Sequence, residues 1–550
     1  MKSLNWLLYQ VHRWVGLVLG LFMFFWFFTG LVIMYSTPTT QSRSQQLAHA
    51  EALRPEFNWL SLGEVWTRHT DSLEYATNNP DKPSHNAQDK VTPSDKKPEF
   101  GIANARLVRS AGVPQWIIED TQGKFVALSA LDGSIRKTSI DQAIQIAKNW
   151  YDGQGQYNVN PRFIDTVDNP IILRNQDALK PFLHLAVDDN GDELMISEKT
   201  GEVLHASTRI DRAFYWAGNW LHLLKPLEAI ALGKIRNDVQ LYLGLFATIA
   251  TFTGLIIGWL RWRPGFGGRR RYSEGRTQPY REFWFKWHFW SGLIGGIVVL
   301  FWAFSGFIDT NPGKIFSPAN PSKEELNRFA GNETPNIIKH WQPLLPALLA
   351  TTVDQAEIVE LNWRHLNNEA LLLATTRDGH RLPQDLKGAT NPTGFSEASL
   401  LAGIGRATKN TPVESQSVLH EYDNYYYPRH HQNLSEKPLP VLQVKLTDEA
   451  GTYYYLDPQE GRILAKVNRN RRVFRWLYSA IHHWDFGWFY YRPLWDLWML
   501  TWVSLGLVLG TTSLVMGWKL LKKTFAPKKK RVLRKSVRRI HPKFDPEINA

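Results

Sequence analysis

The sequence predicts an integral membrane protein: a four-helix transmembrane bundle made from a tandem repeat, with α+β domains on one side of the bilayer. Three observations lead there. Four long stretches are almost free of charge, two long polar segments with strand and helix signals lie between them, and the two halves of the chain align with each other. At 550 residues the chain is also too long for one ordinary core.

Composition restricts the chemistry further. The mean hydropathy of −0.31 is that of a soluble protein, yet 24 Trp and 28 Phe cannot be spread over a polar surface. The apolar content must therefore be concentrated in particular segments. Cysteine is absent, which excludes disulfides, thiolate zinc sites, Cys-held iron–sulfur clusters and covalent c-type haem. Any redox cofactor must be held non-covalently, and the 17 histidines are the ligand reservoir.

Taken in order, Trp14 to Tyr35 carries no charge and, at about 1.5 Å per residue, can cross a hydrocarbon layer of about 30 Å. It exceeds a signal-peptide core, and no A-x-A-like site follows Tyr35, so it is expected to stay as the first span. Val239 to Leu260, Phe289 to Ile308 and Leu494 to Trp518 are the other spans, the last carrying only Asp496. Arg261 to Phe283 holds seven Arg against Glu274 and Glu282, and the tail from Lys519 holds twelve Lys or Arg against Asp545 and Glu547. These two pieces account for the whole formal net charge of +13. By the positive-inside rule they and the N-terminus are cytoplasmic, so Ser36 to Arg212 and Asp309 to Asn470 face the periplasm of a bacterial inner membrane. The tail reads as topology and anionic-lipid contact; no nucleic-acid motif accompanies it.

Expected boundaries are 1–36 for the start and first span, 37–212 for the first α+β region and 213–236 for an interfacial amphipathic segment. They continue with 237–260 for the second span, 261–283 for the basic loop and 284–308 for the third span. The second half gives 309–470, 471–493, 494–518 and the tail 519–550. Trp116 to Glu119 and Phe125 to Leu128 read as strands around Thr121-Gln122-Gly123. Glu193 to Ser197 and Tyr453 to Leu456 read likewise, and Ile140 to Tyr151 has helical period. Residues 78–97 are rich in Pro, Lys, Asp, Ser and Asn and are expected to be a disordered insert.

The internal alignment is the most informative signal. An offset of 276 pairs His12 with His288, Trp14 with Trp290, Gly16 with Gly292, Gly20 with Gly296 and Gly30 with Gly306, giving H-x-W-x-G-x3-G-x5-W-x-F-[ST]-G twice. An offset of 260 pairs Gly201 with Gly461, Arg212 with Arg472, Phe214 with Phe474, Trp216 with Trp476 and His222 with His482.

The helix starts HRWVGL and WHFWSGL, with ELMISEKTGEVL and GTYYYLDPQEGRIL closing the polar segments, resemble the PepSY-associated transmembrane helix family from about Tyr9 to Trp518. That resemblance implies PepSY-like α+β domains. It also implies kinship with iron-regulated inner-membrane proteins and ferric-siderophore reductases.

A histidine inside a bilayer is costly and is a functional candidate by default. His12 and His288 sit just inside the starts of their spans, each with Gly at i+4 and i+8, so Gly16, Gly20, Gly292 and Gly296 share a face that admits a flat macrocycle. The competing explanation is close helix packing with the imidazoles hydrogen-bonded at the interface. His222 and His482 precede the second and fourth spans and belong at the outer face. The economical assignment is two non-covalent b-type haems with bis-histidine ligation, one between His12 and His288 and one between His222 and His482. His483 competes for the last position, and only the repeat register selects His482. The outer pair also fits interfacial amphipathic helices with wet histidines. Arg13, Arg263 and Arg492 are candidates for propionates, with snorkelling as the commoner role. His420, His430 and His431 around Tyr425-Tyr426-Tyr427 read as a strand and its surface loop rather than ligands. No dinucleotide fingerprint, P-loop or H-E-x-x-H occurs.

The expected function is therefore a transmembrane haem-dependent oxidoreductase with electrons from quinol or a separate reductase, and the family resemblance implies a ferric siderophore as its substrate. The rivals are a non-redox membrane protein whose PepSY domains restrain a partner such as a peptidase, and a siderophore transporter. A transporter calls for broken helices or midplane charges, which these spans largely lack.

Overall fold

The computed structural model describes residues 2–36, 38–54, 56, 58–78, 101–152, 159–170, 172–173, 176–316, 318, 320–331, 357–386, 393–429, 436–487, 489 and 491–525. The insert expected at 78–97 and the tail beyond 525 lie almost wholly outside these residues.

Four helices are long and apolar enough to cross a membrane. They run Lys2–Tyr35, Arg236–Arg261, Phe283–Asp309 and Leu494–Phe525 and are called helices one to four. Each outlasts the apolar run read from sequence, because polar residues continue the hydrogen-bond ladder past the hydrocarbon. Helices one and three each pack against both two and four, so one and three face each other across the bundle. Glycines permit the close crossings: a Cβ on Gly244 would stand 3.0 Å from the Phe307 backbone, and one on Gly510 2.9 Å from Phe24 Cα. Val18, Leu21, Phe25, Ile294, Ile297 and Leu497 are exposed on the outside, the face left for lipid.

The chain between helices one and two supplies β1 (Ile102–Ser110), β2 (Val113–Asp120), β3 (Phe125–Ser129), β4 (Arg162–Val167), β5 (Phe182–Ala186), β6 (Glu193–Ser197) and β7 (Val203–Ser207). That between helices three and four supplies β8 (Ile358–Leu366), β9 (Glu369–Thr376), β10 (Arg381–Asp385), β11 (Val413–Leu419), β12 (Val441–Leu446), β13 (Tyr453–Asp457) and β14 (Arg462–Val467). Strands β4 to β7 form one antiparallel meander and β11 to β14 another. Each carries one helix. Ile140–Asp152 buries Ala143, Ile146, Ala147 and Trp150 on Leu183, Leu185, Leu194 and Ile196, and Glu397–Ala407 buries Leu400, Ile404 and Ala407 on Leu442, Val444 and Leu456. The turns after β6 and β13 hold Gly201 and Gly461 at φ 70 and 61, where a side chain would be strained.

The sequence expectation of one α+β region per half meets a difference here. The third sheet is shared, in the order β10-β9-β8-β1-β2-β3, with β1 antiparallel to β8. Its strands begin at 102, 113 and 125 in the first half and at 358, 369 and 381 in the second, a constant shift of 256. The pairs Ala105–Trp363 and Leu107–Leu361 exchange under that shift, and Arg106–Asn362 maps onto itself. Neither half buries the inner edge of its own three strands; joining the two removes both edges. Packing is complementary: Leu107 lies opposite Trp116, while in the other half Trp363 lies opposite Leu372, and all four are fully buried. Glu360 beside the join is ion-paired to Arg43, and Arg106 pairs with Glu202 at 2.6 Å.

Candidate functional site

Helices one and three bring His12 and His288 together, their ring centroids 6.3 Å apart with planes inclined by 51°. His12 Nδ1 donates to Ala250 O of helix two at 2.9 Å. His288 Nδ1 lies 3.2 Å from Thr512 Oγ1 of helix four. The Thr512 hydroxyl spends its own proton on Val508 O at 2.8 Å, so the imidazole is the donor in the contact between them. Both rings therefore carry the proton on Nδ1 and keep the Nε2 lone pair.

The second pair is held by the repeat's other shared polar position. His222 Nδ1 lies 3.0 Å from Thr29 Oγ1, and His482 Nδ1 lies 2.9 Å from Ser305 Oγ. Thr29 donates to Phe25 O at 2.7 Å and Ser305 to Trp302 O at 3.1 Å, which again makes each imidazole the donor. Thr29 and Ser305 are related by the 276-residue shift, and His222 and His482 by the 260-residue one.

Local backbone geometry explains how polar segments deliver these rings onto the bundle. Short helices Arg209–Phe214 and Arg469–Phe474 are capped by Thr208 and Asn468 and run into π-helical turns, Tyr215–Trp220 and Arg475–Ala480. A wide turn inserts a residue and rotates the chain beyond it, which turns His222 and His482 towards helices one and three. Arg212 reaches back to Gly191 O at 2.6 Å, and Arg472 to Gly451 O at 2.6 Å, so each turn is tied to its own sheet in the same way.

The geometry can be tested for fit to iron porphyrin. With metal–imidazole bonds of about 2.0 Å and about 1.1 Å from nitrogen to ring centre, two trans imidazoles have centroids about 6.2 Å apart. The inner pair meets that spacing. A ligating His ordinarily donates its other N–H to a carbonyl or hydroxyl, as all four do here. The two tiers, from His12 to Thr29 and from His288 to Ser305, lie about 26 Å apart along the helix axes. The inner pair fits a bis-histidine haem by spacing and by its Nδ1 partners, and the outer histidines repeat the same Nδ1 pattern.

Residues 9–336 match the family model described as the PepSY-associated TM region, more than half of the chain. The chain belongs to this family. No curated protein matches it. The matched span includes His12, His222 and His288; His482 lies beyond it and is located by the structural correspondence just described.

Several sequence expectations for this PepSY-associated protein need correction. Of the four glycines expected to clear a macrocycle face, Gly16 has nothing within 4 Å of its would-be Cβ, whereas Gly20 and Gly292 meet Ser513 and Leu509 at 3.5 Å. Gly296 meets Leu255 at 2.7 Å, so its place is in helix packing, not in an open face. Arg13 is exposed and lies over Trp14 at 5.4 Å, Arg263 lies over Tyr272 at 4.4 Å, and Arg492 pairs with Asp496 at 3.2 Å. Each of the three thus has a partner within the protein. His482 rather than His483 meets Ser305; the His483 carbonyl accepts from Trp495 at 2.8 Å. His420 is exposed at the end of β11, and His430 and His431 lie outside the described residues.

Sequence reading missed Gly254. A Cβ there would stand 2.6 Å from His12 Cε1, so this glycine makes the room that the ring occupies. Only its position one turn beyond Ala250, the residue that accepts from His12, marks it. Trp302, which the repeat pairs with Trp26, donates to His482 O at 2.9 Å, a role the pattern alone does not give.

Proposed function

We propose that this protein is a dihaem b-type reductase of the bacterial inner membrane, passing electrons from the cytoplasmic side to a ferric chelate in the periplasm. One observation carries the reading: four imidazoles, in two tiers, have Nδ1 committed as donor and Nε2 left to coordinate. Buried histidines that served only packing would have no reason to share one tautomer across two halves related by a residue shift. The common offsets of 276, 260 and 256 support an origin by tandem duplication. The basic loop and tail support cytoplasmic termini and, with them, sheets on the periplasmic side.

His12 and His288 would hold the inner group, and His222 and His482 the outer one. Bis-histidine haem supplies a reversible one-electron couple suited to transfer rather than oxygen chemistry. Ala250, Thr512, Thr29 and Ser305 fix ring orientation and raise ligand basicity through Nδ1. The apolar bundle excludes water between the tiers. Each ferric ion takes up one electron, ultimately from quinol or a separate reductase, and as Fe(II) is held less firmly by hard oxygen donors. No protein acid or base is needed for that step.

The test is haem content. Purified wild-type protein is expected to be red with about two haems per chain, and His12→Ala and His222→Ala are each expected to lose about one. Colourless protein from haem-replete expression that cannot be reconstituted would refute the reading.

A further inference from the structure

Above the outer histidines the two halves stop resembling each other. In the second half a cavity of about 530 Å³ opens between the end of helix three and the π-helical turn, lined by Asp309, Arg429, Arg471, Phe474, Tyr478 and Ser479 among others. The 260-residue shift carries Tyr478 to Gly218. A Cβ on Gly218 would stand 3.0 Å from the Ile33 backbone nitrogen, so in the first half the turn rests directly on helix one. One half has closed the space that the other keeps.

The lining is prepared for negative charge. Arg429 is fixed by Ser479 Oγ at 2.5 Å and by Asp485 at 3.6 Å, and Asp485 is itself buried and accepts from the Tyr427 hydroxyl. Arg471 lies over the Phe474 ring at 4.3 Å. Burial first, and then the charge of Arg429, push the Arg471 guanidinium below its ordinary value, with Asp309 acting in the opposite direction. Asp485 offsets Arg429 and Asp309 faces the same space, so the charge offered to an incoming anion is chiefly that of the partly desolvated Arg471, which Arg429 repels. Their planar forks suit carboxylate and catecholate oxygens. The cavity is also joined to the site below, because the Tyr478 ring stacks on His482 with centroids 5.2 Å apart and planes 29° apart.

We propose that this cavity is a binding site for a free oxygen-rich anion of chelate size, with Arg429 and Arg471 supplying the charge recognition. Its volume lies in the usual small-molecule range of about 300–1,000 Å³ and far exceeds a single carboxylate. The redox consequence, that an anionic ferric chelate receives its electron here one aromatic ring from His482, rests on the reductase reading. The binding does not.

The experiment separates the two. Full-length detergent-solubilised protein is titrated calorimetrically with the triply negative gallium(III) tris-catecholate chelate, which cannot be reduced under these conditions. A positively charged gallium(III) hydroxamate chelate of similar size serves as comparison, and haem content is read on the same samples. The catecholate is expected to bind about tenfold more tightly than the hydroxamate. Arg471→Gln and Arg429→Gln are each expected to weaken the catecholate about tenfold and leave the hydroxamate unchanged, with Arg471→Lys recovering part of the loss. Equal affinity for the two chelates in wild type, or unaltered catecholate affinity in Arg471→Gln, overturns the site. Arginine-dependent binding by haem-free protein upholds the site and defeats the reductase reading; haem-replete protein that binds neither chelate does the reverse.

Discussion

Gly254→Ala is the sharpest probe of the inner tier, because it adds one methyl group against His12 and replaces no candidate ligand. The new Cβ would stand 2.6 Å from His12 Cε1 and 3.1 Å from Nδ1, with Nε2 at 3.5 Å. Relief to an ordinary carbon contact of about 3.6 Å moves the ring by about 1 Å. The Nδ1–Ala250 bond, now 2.9 Å, would then pass the limit for a hydrogen bond. That loss costs about 1 kcal/mol and overpacking adds about 1–3 kcal/mol. Metal ligation tolerates only about 0.2 Å. The expected product is a folded protein that has lost about one of two haems and one of two steps in a potentiometric titration. Gly258→Ala, one turn further along helix two, is the control: its Cβ meets only the Leu293 Cδ1 end at 3.4 Å, and both haems should stay. Two haems and an unaltered titration in Gly254→Ala would show that His12 is not a ligand in this geometry.

Three further outcomes are expected. Thr29→Val and Ser305→Ala should each weaken haem retention at the outer tier by about 10–100-fold while leaving the inner tier intact, measured by haem transfer to an acceptor apoprotein; equal loss from both tiers would contradict the assignment. Glu360→Ala leaves Arg43, whose side chain is 36% exposed, with Glu202 at 3.9 Å as its carboxylate partner and should cost about 1–2 kcal/mol, read as lower denaturant resistance of the sheet region by far-ultraviolet circular dichroism. For Glu460, burial alone would raise the carboxyl, but Arg364, Arg462 and Arg381 outweigh it and bring the pKa down to about 2. Because the folded value lies below the ordinary one, its stabilisation is present in full above about pH 4.5 and is lost as pH falls towards 2. Tryptophan fluorescence from pH 6 to 2 should therefore show a destabilisation in that window that Glu460→Gln abolishes; an identical acid transition in the variant would sink the attribution.

Much of the site was legible because histidine in an apolar helix is expensive and its repetition at a fixed offset is hard to obtain by chance. The same arithmetic singled out Thr29 and Ser305 as a shared [ST] position without saying what they do. Their role depends on the π-helical turns, which sequence periodicity does not reveal, since one inserted residue leaves the composition unchanged. Gly254 was invisible for a similar reason. A glycine in an apolar helix reads as packing until the ring that fills its place is located. Gly296 is the converse case: its spacing suggested an open face, and Leu255 occupies it.

The sequence by itself determined the four spans, the strand-bearing segments between them and the paired histidines, because hydropathy, alternation and internal register are properties of residues in order. Only the tertiary structure decided that β1 and β8 join the halves into one sheet, which hydroxyl or carbonyl orients each imidazole, and that a cavity opens above His482 where the corresponding Gly218 rests on helix one. The sheet join and the imidazole partners depend on contacts between residues 177 to 258 positions apart, whose pairing is set by how helices and sheet edges meet and not by any local pattern along the chain.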